Sequence, residues 1–591
     1  MDTKKLILAI VLSVVIISVY QYFFMPKPEV KPQDVKHTTS VIQEKKNQEH
    51  QTEKSSTQNI SKIFSEKQQK EKVAQPIDEP VKEDLKESKV RDIKLETDLF
   101  YAVFTNKGAG LKSLILKKYR DDKQNPLDLV SKKVEKFGLY PFYFFPNGAD
   151  GNFDIINNSI FSFKRDDNNG KIELIFQYKD KVSNINVQKK FVFMKNSYVI
   201  DIQYKVIKNG VLVDAPFVFG PDLENNINKN RTMQAGLKIG AYNGDSIKSV
   251  NFSKLKTEQL KGQLIEKFKG SLGRYFSWAA YETTYFSVIF ETKVNNSLIE
   301  YSVIKEKFSD GRKIKDKLYS YIIVTNPGKI YLGPKDEKEL YKIVDTFKNV
   351  NKVIEYGWFG SIAKIMQKGI NFTYEKLLNS SNYGWAIVLF TLLLKVILFP
   401  LTYTSSVSMA KMQTLQPKMK ALKKKYKNQK DPEQRKAMNA EMMALYKKEK
   451  VNPAGGCLPM LLQIPLLWGL FRLLAVSINV RHEAWIFWIK DLSLKDPLYI
   501  IPILMGITQI ILQKMTPSGG EGAQKKMMYI MPVVITFIVM NMASGLTLYW
   551  FVSNLLQLGQ QYIINEKVHK KTKEEQSKRK ATKRKKGIKN R

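Results

Sequence analysis

The residue with the clearest chemical consequence is a lysine inside a long apolar run. Lys395 stands in the segment TLLLKVILFP, with roughly ten apolar residues on each side. An ammonium group at the centre of a bilayer costs about 2.5–3.5 kcal/mol, so such a residue is expected to face a protein interior or a watery cavity. Tyr403 is eight residues away, about 12 Å along a helix, which is too far for the side chain to snorkel. The pattern therefore predicts a polar cavity within the membrane, with Thr391 one turn earlier on the same helix face.

Hydrolytic chemistry finds little support around this lysine. A Ser/Lys hydrolase needs a serine at matching depth, and the candidates Ser477, Ser544 and Ser553 have no supporting motif. The chain has no G-x-x-x-x-G-K-[ST] loop for nucleotide phosphates, and the His482-Glu483 pair lacks the second histidine of H-E-x-x-H. The sequence therefore favours a protein that is not an enzyme.

The composition also argues against metal and redox sites. One cysteine and four histidines in 591 residues are too few for a multi-cysteine zinc site or an iron–sulfur site, so we predict neither metal nor cofactor. The apolar runs of the C-terminal third contain no Asp or Glu in their cores, whereas an ion pathway normally pairs a cation with an acid. A transporter is thus the weaker alternative to a passive polar groove that accepts hydrophilic segments of other chains.

Six apolar runs and the charges between them predict the membrane topology. The segments 405–456, 514–526 and 566–591 have net charges of +9, +2 and +10. Because basic loops stay in the cytoplasm, both termini should be cytoplasmic and the large region 26–382 should lie outside. The first run is an uncleaved anchor within residues 1–25, and five more spans form a core at 382–565. The predicted spans are 6–25, 383–403, 457–478, 498–515, 527–543 and 545–564.

The outside region changes character along its length. Residues 26–90 are rich in Lys, Glu, Gln, Ser and Pro, a composition that indicates a disordered tether. Residues 91–349 contain alternating apolar runs separated by Asn-Gly and Asp-Gly turns, which predicts an all-β sandwich. This domain is interpreted as a scaffold, with a binding domain for sugars or peptides as the alternative. Residues 350–381 have helical apolar spacing and predict an amphipathic helix on the outer membrane surface, or else one packed on the β-domain.

The cytoplasmic segment 405–456 predicts a helical hairpin. Pro417 should interrupt and kink the first helix, and Asp431 followed by Pro432 should begin the second. Two interpretations of its methionines remain open: they pack on each other, or they form a soft, polarizable surface that contacts varied hydrophobic substrates. The candidate contact residues are Met409, Met412, Met419, Met438 and Met442.

The net charge of the chain is +40, from 96 Lys and Arg against 56 Asp and Glu. The tail 566–591 alone carries 13 basic residues, more than a topology signal needs. Such a tail binds RNA phosphates or anionic lipid. We therefore predict a ribosome contact through the tail and the cytoplasmic loops, together with anionic lipid, and no DNA.

The chain contains a group of motifs that are specific in combination: MALYKKEKVNPAGGCLPMLLQIPLL at 443–467, SGLTLYWFVSN at 544–554, TNKGAGLKSLILKKY at 105–119, YLGP at 331–334 and YGWF at 356–359. With these motifs the chain resembles the YidC-type membrane protein insertases, in the Gram-negative form with a large periplasmic domain. The stretch at 443–467 is the most specific, and the matches together cover residues 91–565.

The resemblance implies a multi-pass α-helical protein of the bacterial inner membrane with six transmembrane helices, a periplasmic all-β sandwich and a cytoplasmic helical hairpin. It also implies that the protein inserts nascent membrane proteins, alone or with the Sec translocon, without hydrolysing nucleotide. The family's groove cation, usually arginine, corresponds to Lys395, and Thr391 and Trp550 correspond to groove positions. Gln509 is a further groove candidate from its depth in the fourth span. The spans at 457–478 and 527–543 correspond to helices along which substrates are thought to slide.

Overall fold

The computed structural model describes residues 89–148, 151–223, 237–251, 265–292, 297–309, 314–426, 431–449, 458–515 and 523–589. The predicted N-terminal anchor and almost all of the predicted tether lie outside these ranges, so both stay predictions.

Twenty strands occur among the described residues, all of them between residues 92 and 334. Their bounds are Asp92–Glu96 (β1), Phe100–Thr105 (β2), Gly110–Arg120 (β3), Pro126–Asp128 (β4), Asn147–Gly148 (β5), Gly151–Asn152 (β6), Ser162–Asn168 (β7), Lys171–Asp180 (β8), Ile185–Met194 (β9), Val199–Lys208 (β10), Val211–Leu212 (β11), Phe217–Phe219 (β12), Lys238–Tyr242 (β13), Ile247–Asn251 (β14), Ile265–Gly273 (β15), Trp278–Glu282 (β16), Phe286–Thr292 (β17), Ile299–Ser309 (β18), Ile314–Val324 (β19) and Pro327–Pro334 (β20).

One large antiparallel sheet is covered by two smaller ones. The large sheet has the strand order β14-β13-β16-β17-β20-β10-β9-β8-β7, with β11 paired to β10, and the small sheets are β1-β2-β3-β4 and β12-β19-β18-β15. Phe104 of β2 packs 5.0 Å from Phe191 of β9, between ring centroids, and Phe219 of β12 packs 6.4 Å from Tyr281 of β16. These contacts join both small sheets to the large one and confirm the predicted β-sandwich.

The helices of the β-domain are short, and those after residue 359 are long. The α-helices are Val134–Phe137 (α1), Asp154–Asn158 (α2), Glu337–Tyr341 (α3), Gly360–Phe372 (α4), Tyr383–Lys425 (α5), Pro432–Lys448 (α6), Leu458–Val476 (α7), Ile500–Met515 (α8), Ala523–Val539 (α9) and Ser544–Lys589 (α10). The single-turn helices are Val350–Val353 and Ile478–Val480 (3-10) and Thr373–Leu377 (π).

A helix occurs at each of the five apolar runs predicted after residue 382. Among the described residues, Tyr383–Met409 is long and apolar enough to cross a membrane. Leu461–Val476, Ile500–Met515 and Ile530–Val539 are apolar but shorter. The α-helical membrane character agrees with the prediction, and the number of six spans stays a prediction.

The amphipathic helix begins later than its sequence pattern indicates. Gly357 adopts a left-handed conformation (φ +72°), which an α-helix does not tolerate, so α4 starts only at Gly360. Its buried face includes Met366 and Ile370. At Gly369 an added Cβ would lie 2.3 Å from the Phe390 ring, so α4 packs closely on α5. The side chain of Ile365 is 69% exposed, which leaves an apolar face available for lipid.

The predicted interruption of the first hairpin helix at Pro417 is wrong. The predicted second span and this helix form one 43-residue helix, α5, that contains both Pro400 and Pro417. A proline inside a helix removes one backbone hydrogen bond. Here good helix formers surround it, and packing of Leu415 and Met419 against Tyr446 of α6 supports the helix on both sides. The second helix begins as predicted, with the Asp431 carboxylate accepting a hydrogen bond from the Glu433 N–H.

Candidate substrate groove

Lys395, the lysine predicted to lie in a polar cavity, is a residue of α5 whose side chain contacts α10. Its Nζ donates a hydrogen bond to Oε1 of Gln557, 3.3 Å away on α10. Further toward the C-terminal ends of both helices, Nε2 of Gln560 donates to Oγ1 of Thr402 at 2.9 Å. The two contacts are successive side-chain hydrogen bonds between the parallel helices α5 and α10. Among the described residues, Lys395 forms no salt bridge, so its partner is a neutral amide.

A second row of amides on α10 faces α8. Asn554 is 3% exposed and donates through Nδ2 to the Met505 carbonyl at 3.3 Å. Asn565 donates to the Met515 carbonyl at 3.1 Å and accepts from Gln561 at 2.9 Å. Because each amide needs partners when it is removed from water, these bonds fix α10 against its neighbours. The helix thus presents polar groups to both α5 and α8.

These α10 amides were missed at the sequence level, although a signal was present. Asn554, Gln557, Gln560 and Gln561 recur every three or four residues within a predicted span, which places them on one broad face of a helix. The signal was a row of amides on one face of an apolar helix, together with a lysine inside another apolar helix.

The four predicted groove residues occupy different environments. Thr391 is fully buried, and its hydroxyl donates to the Ile387 carbonyl of its own helix at 2.6 Å. Trp550 is partly buried against the main core and lies two turns before Gln557 on α10. Gln509 is partly buried on α8, one position after Thr508, which contacts Asn554.

Exposed apolar side chains lie next to Lys395 on α5 and also on α9. On α5, the side chains of Val396 and Ile397, next to the groove lysine, are 63% and 73% exposed. On α9, Phe537 is 65% exposed. At Gly506 an added Cβ would meet Oγ1 of Thr536 at 2.3 Å, so α8 and α9 approach closely. A polar interior next to exposed apolar helix faces is the arrangement expected of a groove that opens toward lipid.

The serines considered for a hydrolase do not support one. The Ser544 hydroxyl donates to the Asp491 carbonyl at 3.2 Å, at the first residue of α10 and 13 residues before Gln557. Ser477 and Ser553 are buried. Within the described part of the chain, the amine of Lys395 hydrogen-bonds to none of these three hydroxyls.

The hairpin methionines divide into two groups. Met419 is 8% exposed and accepts a hydrogen bond through its sulfur from the Tyr446 hydroxyl at 3.5 Å, so it belongs to the contact between α5 and α6. Met412 and Met442 pack partly against the same cluster. Met409 and Met438 are partly exposed outside it. Both open interpretations therefore have residues that fit them.

Comparison with known proteins places the chain in a family. A profile described as 60Kd inner membrane protein matches residues 374–572, and one described as YidC periplasmic domain matches residues 92–368. The membrane protein insertase YidC of Geotalea uraniireducens is 35% identical over 81% of this chain and 87% of its own length. Those of Syntrophus aciditrophicus and Campylobacter jejuni are 33% and 32% identical, over 95% and 96% of this chain and 99% and 98% of their own lengths.

A solved structure of an active YidC insertase aligns with 80% of this chain and 92% of its own, at 18% identity and a TM-score of 0.32, too low a score to bear on the fold. The sequence relatives cover most of this chain and most of their own lengths at more than 30% identity. The chain therefore belongs to the YidC family of membrane protein insertases, in the form that carries a periplasmic domain.

Proposed function

We propose that the chain inserts nascent membrane proteins into the bacterial inner membrane and assists their folding. The observation that carries the proposal is the hydrogen bond between Lys395 and Gln557, because it joins a partly buried cation and a partly buried amide of two helices beside exposed apolar side chains. The relatives of the chain are known as membrane protein insertases, which supports the same function.

The groove lowers the barrier for a polar segment of a client. A hydrophilic loop that enters hydrocarbon loses its hydrogen bonds to water, at about 4–8 kcal/mol for each unpaired amide. The amides of α10 and the lysine of α5 offer replacement partners, and the positive charge attracts acidic residues. The client's apolar helix then leaves sideways along α7 and α9 into lipid. Thr391, Trp550 and Gln509 belong to the proposed groove.

The finer topology and organisation form part of the proposal. We assign six transmembrane helices, cytoplasmic termini and these segments: anchor 1–25, tether 26–90, periplasmic β-domain 91–349, interfacial helix 350–381, insertase core 382–565 with hairpin 405–456, and basic tail 566–591. The cytoplasmic location of the hairpin and the termini is supported by the positive charge of segments 405–456, 514–526 and 566–591.

The proposed partners follow from charge and apolar surface. The basic tail and loops contact ribosomal RNA and anionic lipid through their cations, and the Sec translocon is the partner for larger clients. The hairpin residues Met409, Met412, Met419, Met438 and Met442 are proposed to contact apolar client segments. Insertion proceeds without nucleotide hydrolysis by this chain. The protein therefore lowers the barrier to transfer of a client into the membrane but does not act as an enzyme.

Reconstitution tests the function directly. The purified chain in liposomes should insert a small membrane protein with an acidic outer loop, without ATP. Lys395→Arg should retain activity because the charge remains, and Lys395→Ala should lose it. Lys420→Ala is the matched control, since Lys420 lies exposed on the same helix. Solute flux without insertion would favour a transporter, and equal activity of both alanine variants would refute the role of the groove charge.

A further inference from the structure

A second cation of the membrane core, Arg472, has no role in the groove. It lies near the outer end of α7, and its Nη2 donates to the backbone carbonyl of Glu355 at 2.6 Å. A Cβ added at Gly357 would lie 3.5 Å from the Arg472 Nε, so the segment between the β-domain and α4 wraps closely around the arginine. The outer end of α7 is thus attached to the chain that leaves the β-domain.

A buried charge network continues this attachment into the β-domain. The Glu355 carboxylate accepts from Lys238 Nζ at 2.6 Å, and Lys238 also lies 3.1 Å from Glu282 Oε1. The other Glu282 oxygen pairs with Lys335 at 2.7 Å. The side chains of Lys238, Glu282 and Lys335 are all at most 7% exposed. Burial acts to raise the Glu355 pKa, but the Lys238 hydrogen bond and the nearby charges of Lys238, Lys335 and Arg472 lower it overall.

A separate contact holds the chain just after α7. Arg481 donates through Nη2 to Asp122 Oδ1, 3.3 Å away in the loop between β3 and β4. Its guanidinium carbon also lies 5.1 Å from the Tyr285 ring centroid and 5.5 Å from that of Phe286. Arginine over an aromatic face gains cation–π attraction, and more so when water is excluded. Arg481 is 8% exposed, so this contact is well sheltered.

The two halves of α7 differ in how far their side chains are exposed. In the outer half, Leu470, Leu473 and Leu474 are completely buried. In the inner half, the residues from 461 to 467 are all partly exposed. One attachment would let the helix pivot, but two attachments nine residues apart, one to the segment that follows the β-domain and one to the loop between β3 and β4, fix both its position and its direction. The inner half remains accessible to a client.

We infer that Arg472 and Arg481 are positioning residues, through which the periplasmic β-domain holds the outer half of α7 at a fixed position relative to the groove. The inference rests on the proposed insertion of client proteins. It gives the β-domain a static bracing role: clients slide along the inner half of a helix whose outer half does not move. The bracing acts on the position of α7 and not on its folding, so restoring the attachment by another chemical link restores activity.

The first experiment removes both attachments in the full chain in liposomes. Arg472→Ala combined with Arg481→Ala should lower client insertion by about five-fold or more, because a binding surface that is loose by even 1 Å loses function. Arg165→Ala is the control, since Arg165 forms an exposed ion pair within one strand of the same domain and should leave insertion unchanged. Protease resistance of the β-domain in each variant verifies that it remains folded.

The second experiment reattaches the helix chemically. In a Cys457→Ser background, which removes the one cysteine of the chain, Asp122→Cys with Arg481→Cys should reduce insertion because it breaks the contact between these two residues. A short reducible reagent that joins the two thiols should restore insertion, and reduction should abolish it again. A photo-crosslinker at residue 466 should report a narrow set of client positions in the parent and in the linked protein, and a broader set in the unlinked one.

Full insertion by the double alanine variant, or failure of the thiol link to restore insertion and the narrow crosslinking pattern, would overturn the bracing role. Failure of the parent chain itself to insert clients would instead refute the proposed function, and the inference with it. The two failures are distinguishable because the parent is measured in every preparation.

Discussion

Lys189 provides the sharpest test of how the β-domain is held together. It is completely buried on β9, at an inward position of an otherwise apolar row. Its Nζ donates to the carbonyls of Gly108 and Phe142, both at 2.8 Å, and lies 4.0 Å from the Phe144 ring centroid. Burial lowers the pKa of this amine well below its ordinary value. A neutral amine keeps two N–H donors, which matches the two carbonyls that accept from it.

The pH dependence of stability follows from the direction of this shift. Between the lowered folded-state pKa and the ordinary value of 10.5, the unfolded state binds more protons, so stability rises with pH across that window. Within that window stability changes by at most about 1.4 kcal/mol for each pH unit, the general value of one pKa unit. Relative to a variant without the amine, the parent should therefore become more stable between pH 7 and pH 9.5.

Lys189→Met is the appropriate perturbation because it keeps the volume and removes the titrating group. It also leaves two buried carbonyls without donors, which costs about 1–3 kcal/mol each, so at pH 7 the two effects oppose each other. Pulse proteolysis of the β-domain in the full chain at pH 7 and pH 9.5 measures the difference. Lys190→Met, on the next and partly exposed residue, is the control. A free-energy difference between parent and Lys189→Met that does not change with pH would refute this account of Lys189.

Three further outcomes are expected. Gln557→Leu should lower insertion of clients with acidic loops by about ten-fold, since a hydrogen bond to a charged group is worth about 1.5–3 kcal/mol, and unchanged insertion would contradict the amide's role beside Lys395. Met419→Ala should destabilise the hairpin by about 2 kcal/mol, seen as faster protease cleavage near residue 426. Because the Glu355 pKa is lowered, its stabilising contacts are present above its ordinary pKa of about 4.5 and are lost as pH falls below that. Proteolysis of the segment 354–359 should therefore accelerate only in acid, in the parent but not in Glu355→Gln.

Local patterns were enough to predict the elements and their classes. Alternation in segments such as β9 predicts strands, because apolar residues every second position bury one face of a sheet. The apolar run around Lys395 predicts a membrane helix with a polar side, because hydrocarbon tolerates a cation only where it is sheltered. The Asp431-Pro432 pair predicts a helix start, since both residues suit an N-terminus.

Features that depend on distant partners escaped prediction. Gln557 meets Lys395 across 162 residues of sequence, and the network of Lys238, Glu282 and Glu355 joins three separate segments. No spacing rule connects such positions, because their neighbourhood exists only after the helices and sheets have packed. The helix at Pro417 shows the converse, since tertiary packing there overrides a local rule.

The continuity of α5 has a mechanical consequence. From Lys395 to Lys425 the chain runs as one helix of about 45 Å at 1.5 Å per residue. The hairpin and the segment around Lys395 are therefore joined by one continuous helix. Pro400 and Pro417 lack the backbone donor that stiffens a helix, so α5 can bend at these two positions. A force applied to the hairpin is therefore transmitted along α5 to its hydrogen bonds with α10, except for the part that bending at these two prolines absorbs.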